Sequence, residues 1–436
     1  MSHATLPSST VPARTSVGRD KPSEMPSDGP LAGIRVVELA TVIMGPYAGQ
    51  QLGDLGADVI KVESPEGDST RGFEPKRHAG MGGPTLNLNR NKRSITLDLK
   101  TEEDHVTMLR ILESADIFFT NVRPSALKRL GLDPEAVTRL HPRLVYVQAQ
   151  GFRGNSVYRD NAAYDDIIQA ASGLVALNEQ VTGQPFYTPT VIADKVCGLM
   201  IVQSALAALH HRDRTGAGQH IEVPMADTMI AFNLVEHLAG ASLAPESKNP
   251  SSPNTQASTD NTDSGGEYGY NRVLSRERRA CRTADGWMCI LPYNDRNWRD
   301  FFEMAGDVAA AVDPRFTTMA ARTAHADALY SRMRTLTAQF TTSQWQQLCD
   351  SSSIPAHPIL GLAESAESEY AQGGGLVTIL DHPSEGPYRS VAHPVRFSLT
   401  PIRIRRHCPS NGQHGSEIRR ELDFRTTTST ATAGSS

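Results

Sequence analysis

The sequence predicts an α/β protein: a large domain built on a doubly wound, mostly parallel sheet, followed by a smaller α+β domain. Three observations carry this. The body opens with GIRVVELATVIMGPYAGQQLGDLGADVIKVE, residues 33–63, which reads strand, helix, strand over about thirty residues, the size of a βαβ unit. The same alternation then recurs. At residues 242–268 (SLAPESKNPSSPNTQASTDNTDSGGEY) large apolar groups nearly vanish, as in a linker or loop, and a second patterned stretch follows.

Taken in order, residues 34–39 form a β-branched run suited to a buried strand. Gly45-Pro46 fits a loop and helix start, because proline is tolerated in a first turn. Ala48, Leu52 and Leu55 recur at helical spacing, Gly56 supplies a stop, and residues 59–62 give the second strand. RSITLDL then reads as strand, EEDHVTMLRILESA as helix, and DIFFTNV and LVYVQAQG as strands. Helices are expected over 166–177 and 196–211, and a strand in QHIEVPM. Beyond the break, RRACRTADGWMCILPYNDRNWRDFFEMAG gives strand, turn and an amphipathic helix carrying Trp298, Phe301 and Phe302, with late strands in LVTIL and VRFSL. The expected organisation is a tail (1–30), a large domain (31–241), a linker (242–275), a small domain (276–375), a segment returning to the large domain (376–424) and a second tail (425–436).

The 436 residues are 39% apolar, enough for packed cores, and a net charge of −5 offers no footprint for nucleic acid or an anionic membrane. Five cysteines without C-x-x-C spacing argue against a disulfide framework or structural zinc and for a reducing compartment. A cytoplasmic location is expected, with the mitochondrial matrix as the alternative raised by Arg14 and Arg19 in an N-terminal stretch that has no acid before Asp20. No metal spacing such as H-E-x-x-H and no G-x-S-x-G elbow occurs, and no apolar run reaches the about 18–20 residues of a membrane span.

Five stretches carry candidate chemistry. The first loop, ATVIMGPYAG, has no G-x-G-x-x-G, and Val42, Ile43 and Met44 obstruct backbone approach to a pyrophosphate, which argues against a nicotinamide enzyme despite the acidic Glu63. A ligand is still expected at the carboxyl ends of the strands. SPEGDSTRG is either a phosphate loop or a solvated turn closed by an Asp68–Arg71 pair. The cations Arg90, Lys92 and Arg93 of NRNKRSITLDL read as a solvated face. In AAYDDIIQAASGL, Asp165 reads as a helix N-cap. In TVIADKVCGL, Asp194 precedes a helix whose apolar face is Leu199, Val202, Leu206 and Leu209. It fits three roles: N-cap, partner of Lys195, or nucleophile. Helix amides and dipole would lower its pKa and hold it ionised.

Several stretches together resemble the class III CoA-transferases, a family that includes formyl-CoA and carnitine CoA-transferases and 2-methylacyl-CoA racemases. They are LAGIRVVELATVIMGPYAGQQLGDLGADVIKVESPEGDSTRG, LNLNRNKRSITLDLKTEE, ADIFFTNVRPSALKRLGLDPEAVTRLHPRLVYVQAQGF, AAYDDIIQAASGL, ALAALHHRDRTGAGQHIEVPMADTM, RTADGWMCILPYNDRNW and GQHGSEIRRELDF, in the family's order across residues 31–424. The resemblance implies that Asp194 attacks an acyl-CoA to give a mixed anhydride and then an aspartyl-CoA thioester, from which an incoming small carboxylic acid takes CoA. Coenzyme A is then a substrate rather than a tightly bound cofactor. The resemblance places it against Thr41, Val42, Ile43, Asn121, Arg129 and Tyr164, with Arg71 and Arg93 toward its phosphates. It also implies a covering glycine-rich loop, for which residues 265–269 are the candidate, and an interlocked homodimer. Ile43 stands where the formyl-transferase pattern has glutamine, which points away from a strict formate/oxalate enzyme. Tyr164 stands where the racemase branch has its histidine, which favours transfer over the alternative, a 2-methylacyl-CoA racemase using Asp194 as acid/base. Succinyl-CoA is the suggested donor.

Overall fold

The computed structural model describes residues 29–242 and 268–433. Its central feature is a six-stranded, all-parallel sheet: β1 (Arg35–Leu39), β2 (Asp58–Glu63), β3 (Lys92–Thr96), β4 (Ile117–Thr120), β5 (Val145–Gln150) and β6 (Gln219–Pro224), in the order β3-β2-β1-β4-β5-β6. This is the doubly wound arrangement, and the strand order reverses between β1 and β4. The connecting helices are α1 (Met44–Asp54), α2 (Gly83–Leu88), α3 (Glu102–Glu113), α4 (Pro124–Arg129), α5 (Pro134–Leu140), α6 (Asp165–Ala171), α7 (Leu174–Thr182), α8 (Ile192–Thr215) and α9 (Met225–His237). Two apolar clusters cover the two faces: Ala48, Leu52, Phe119, Val147, Ile201 and Ala205 lie on one, Val37, Ile60, Ile111, Phe118 and Tyr146 on the other.

The expected helix over 196–211 is longer at both ends; Val202, Leu206 and Leu209 of its expected apolar face pack against the core, but Leu199 does not. Small residues (Ala193, Cys197, Ala205, Ala208) and Ile201 face inward, whereas Leu199 is 48% exposed. Close helix approach is the reason: a Cβ on Gly198 would lie 2.8 Å from the Met44 carbonyl oxygen and 3.0 Å from the Tyr47 ring, so α8 crosses the first turn of α1 nearly backbone to backbone. By length and composition α8 is apolar enough to cross a membrane, contrary to the reading of the sequence, but half of that stretch is buried inside this fold against α1 and the sheet.

Between α1 and strands β1–β3 lies a layer of buried ions. Lys61, Lys92 and Glu38 are wholly buried; Lys61 Nζ sits 2.9 Å from Glu38 and 3.0 Å from Asp68, and Lys92 Nζ sits 2.8 Å from Glu38. Burial drives Lys92 down to about 8, with Lys61 adding repulsion and Glu38 opposing both. For Lys61 burial also pulls downward, but Glu38 and Asp68 together win and raise it. Arg90 pairs with Asp54, and Arg93 with Asp58, Glu417 and Glu421. The three cations read as a solvated face are therefore internal. Strands of a parallel sheet are covered on both sides, so a charge within them is stable only when paired. Gly49 makes the room: a Cβ there would stand 1.9 Å from Glu38 Oε2 and 3.0 Å from Lys92 Nζ. Gly49→Ala is expected to destabilise the fold by about 1–3 kcal/mol, the usual cost of overpacking, measurable by urea denaturation.

The smaller unit has its own core from Cys281 to Ile354. A three-stranded antiparallel sheet, β7 (Cys281–Arg282), β8 (Trp287–Ile290) and β9 (Ala356–Pro358), packs against helices Ala326–Thr337 and Thr342–Ser351, and the same core takes in helix Asp295–Met304. That helix buries Trp298, Phe301 and Phe302, and Phe301 stacks on Trp345 at 5.4 Å. A hairpin follows, β10 (Val377–His382) with β11 (Gly386–Val391). The expected strand VRFSL is irregular instead; its place opposite β10 is taken by β11, which the tight turn after His382 delivers in register. The chain then runs back to the large unit. Residues 405–414 cover the outer edge of β3, with Asn91 N donating to Arg406 O, and His414 N to Ser94 O. The C-terminal helix Gly415–Ala433 presents Glu421 to both Arg35 and Arg93.

Candidate active site

The carboxyl ends of β1 and β4 meet at the point where strand order reverses, the usual ligand crevice of such sheets. Here Thr41 and Asn121 hold each other reciprocally: Thr41 N donates to Asn121 Oδ1 (3.1 Å) and Asn121 Nδ2 donates to Thr41 O (2.9 Å). Val42 has φ +70°, a conformation that a β-branched residue adopts only under constraint. Ile43 begins α1 with no side chain capping it, so the first amides of α1 open toward the crevice.

Asp194 lies one turn before Gly198 on the same face of α8, which sets it beside the start of α1. It is not the N-cap. Val191 holds that position, and Asp194 is buried in the first turn. Nor does it pair with Lys195, whose ammonium donates to Thr190 Oγ1 at 2.5 Å. The partner is Asp165. One of its oxygens accepts from Asp194 N (3.0 Å) and the other from Gln169 Nε2 (2.6 Å), while Gln169 in turn accepts from Thr188 N (2.9 Å). Asp165 was expected to cap its own helix. Tyr164 occupies that cap instead, and Asp165 reaches across to the amino terminus of α8.

This arrangement reverses the expected ionisation of Asp194. Burial, and then the charge of Asp165, push its carboxyl up from 3.8 to about 7. A helix amino terminus alone favours the anion; here desolvation and a like charge outweigh it. Three residues on, burial raises the Cys197 thiol to about 12, so it is no competing nucleophile at neutral pH.

The other sequence-selected residues divide into two groups. Thr41, Val42, Ile43 and Asn121 line the crevice, while Tyr164 is exposed at the start of α6 and Arg129 is exposed at the end of α4. Arg71 and Arg93 do not join them. Arg71 is buried and grips both oxygens of Glu63 at 2.7 Å, together with the carbonyls of Gly80 and Pro409. Burial alone would raise Glu63, but Arg71 and Lys61 bring it down to about 2. The Asp68–Arg71 pair, one of the two readings of this loop, is thus replaced by Glu63–Arg71, and Glu63 is committed to Arg71 and Ser94 rather than open to a ribose. Arg93 reaches back to Asp58, the first residue of β2, at the opposite end of the sheet from the crevice. Of the covering loop, residues 265–267 fall outside the described residues; Gly269 N donates to His237 O on α9. Among the described residues no cluster of three His, Cys, Asp or Glu has metal-binding geometry. A cavity of about 620 Å³ lies between the segment before α2 and the β10–β11 hairpin, lined by Arg77, Met81, Tyr388 and Arg389 but not by Asp194.

Residues 31–415 match the model of CoA-transferase family III. Succinate–glutarate CoA-transferase of Agrobacterium fabrum is 34% identical, covering 93% of this chain and 98% of its own. Formyl-CoA:oxalate CoA-transferase of Afipia carboxidovorans is 30% identical, covering 90% and 93%. Among solved structures, a CAIB/BAIF family protein from Brucella suis superposes with a TM-score of 0.72 at 31% identity, covering 90% of this chain and 99% of its own.

Proposed function

Because the chain belongs to CoA-transferase family III, whose matched relatives are CoA-transferases, we propose that it moves CoA from an acyl-CoA to a carboxylic acid through an aspartyl-CoA thioester on Asp194. The observation that carries this is the Asp194 carboxyl, buried beside the start of α1 with Asp165 behind it. Desolvated and repelled, it is a stronger nucleophile than a surface carboxylate once ionised. Attack on the thioester carbonyl gives a mixed anhydride and CoA thiolate. The thiolate then attacks the aspartyl carbonyl, releasing the donor acid and leaving CoA on Asp194. An acceptor carboxylate reverses the two steps. Each intermediate keeps the thioester's free energy as long as water is excluded.

Thr41, Val42, Ile43 and Asn121 are assigned to CoA contact, with Tyr164 and Arg129 at its margins; Arg71 and Arg93, held by Glu63 and Asp58, belong to the scaffold. Short dicarboxylates are the proposed acids and succinyl-CoA the donor, as the name of the succinate–glutarate relative suggests. A homodimer is proposed as well. Exposed apolar side chains on α8 and α9 (Leu199, Phe232, Val235) are the surface a second copy would cover, and light scattering of the purified protein tests this.

Intact-mass spectrometry with a panel of acyl-CoAs and hydroxylamine tests the chemistry. A hydroxamate on the Asp194 peptide, formed only with acyl-CoA, is the expected result. Exchange of an α-proton from a 2-methylacyl-CoA in D₂O without any adduct sinks the transferase reading in favour of a racemase. The rate should rise with pH through about 7, where Asp194 ionises. In Asp165→Asn that limb moves to lower pH by about one unit, because a like charge is removed while an acceptor for Asp194 N remains.

A further inference from the structure

The crevice loop is gripped from below by groups that cannot reach a substrate. Lys61 Nζ donates to Ala40 O at 2.8 Å and to Asp68 Oδ2 at 3.0 Å. The other Asp68 oxygen accepts from Val42 N at 3.2 Å and from both the amide and hydroxyl of Thr70 at 3.0 Å. Residues 40 and 42 are therefore tied to one buried ion pair, and Thr41 between them to Asn121. Val42 sits at φ +70° in this grip. A valine released from it would leave that region, since its side chain crowds the backbone there. Lys61 is wholly buried and Asp68 is 2% exposed. Both point at the underside of the loop.

We propose that Asp68 and Lys61 are positioning residues that hold Thr41–Ile43 in the shape that receives the acyl-CoA, an assignment that rests on the transferase reading above. The ion pair supplies what a glycine-rich turn supplies elsewhere: a left-handed residue immediately before a helix. Here an ordinary side chain is held there by charge instead of by the absence of a Cβ.

The test uses the full-length enzyme. Asp68→Asn replaces an acceptor facing Lys61 with an amide donor or turns the amide toward Val42 N; either breaks one arm of the grip. The expected result is a KM for acyl-CoA raised about tenfold, with kcat and the acceptor acid's KM changed less than about threefold, as for loss of pre-organised binding. Placed on a Val42→Gly background, where positive φ carries no penalty, Asp68→Asn should raise KM further by less than about threefold. Equal rises in both backgrounds, or a folded Asp68→Asn whose KM stays within about twofold of wild type, overturn the proposal. Should Asp68→Asn fail to fold, Val42→Pro tests the same grip from the loop side, since proline has no N–H for Asp68 and cannot adopt positive φ. An unchanged KM in that variant is again fatal. Absence of CoA transfer by the wild-type enzyme with every donor tested defeats the transferase reading itself, before any variant is compared.

Discussion

Asp194→Asn is expected to abolish CoA transfer, by at least about a thousandfold, and at the same time to make the protein more stable above pH 7. The two effects share one origin. An amide cannot form the anhydride, so the nucleophile is lost. The wild-type carboxyl titrates near 7 in the folded chain against an ordinary value of 3.8. The native state therefore binds this proton more tightly than the unfolded chain does. Its stabilising contribution is complete below about pH 4 and is lost as pH rises through about 7. Above that, the fold carries a buried anion next to Asp165, at a cost of up to about 4 kcal/mol for a displacement of this size. Asparagine removes that cost. Thermal midpoints of wild type and Asp194→Asn should coincide near pH 4, diverge between 4 and 7, and stay apart above it. A variant that is inactive but no more stable at pH 8 would mean that Asp194 is solvated.

Glu38→Gln is expected to produce the largest loss of stability in the molecule, about 3–5 kcal/mol. Glu38 is the only carboxylate among the described residues that bridges Lys61 and Lys92, both wholly buried. Without it two ammonium groups share Asp68 in a region of low dielectric, and Lys92, already down at about 8, has lost its counter-charge. Urea unfolding of Glu38→Gln should show the loss, and Glu38→Gln with Lys92→Met should recover part of it, because removing both members leaves one cation against Asp68. If the double variant is as unstable as the sum of its parts, the pair is not coupled and the layer is held by packing alone.

The sheet was legible because its signals are local. The first strands are short apolar runs and the helices between them periodic, so a parallel, doubly wound sheet follows from the βαβ rule, whereas the strand order comes only from the fold. The ion layer was misread because a cationic run looks solvated when scanned by itself. The usable signal lay in the partners: Glu38 in RVVEL and Lys61 in DVIKVE sit inside strands that a parallel sheet must bury. VRFSL alternates like a strand, but whether it finds a neighbour is a tertiary question, and β11 took that place. Asp194 stood out as a residue, whereas its ionisation did not, because burial, which raises it most, and Asp165, 29 positions away on another helix, are both products of the fold. Propensity at Asp165 says cap; only the fold says whose cap.

The cover over the outer edge of β3 has a consequence for how the chain is made. Arg35 meets Glu421 across 386 residues of sequence, and Asn91 and Ser94 take their edge partners from residues 406 and 414. During synthesis the sheet can assemble as soon as β6 has emerged, yet β3 then presents bare amides and carbonyls, with Arg93 lacking Glu417 and Glu421. Such an open edge recruits strands from other nascent chains. Residues 405–421 thus serve as a seal, and a ribosome that stops short of them releases the six-stranded sheet with that edge open.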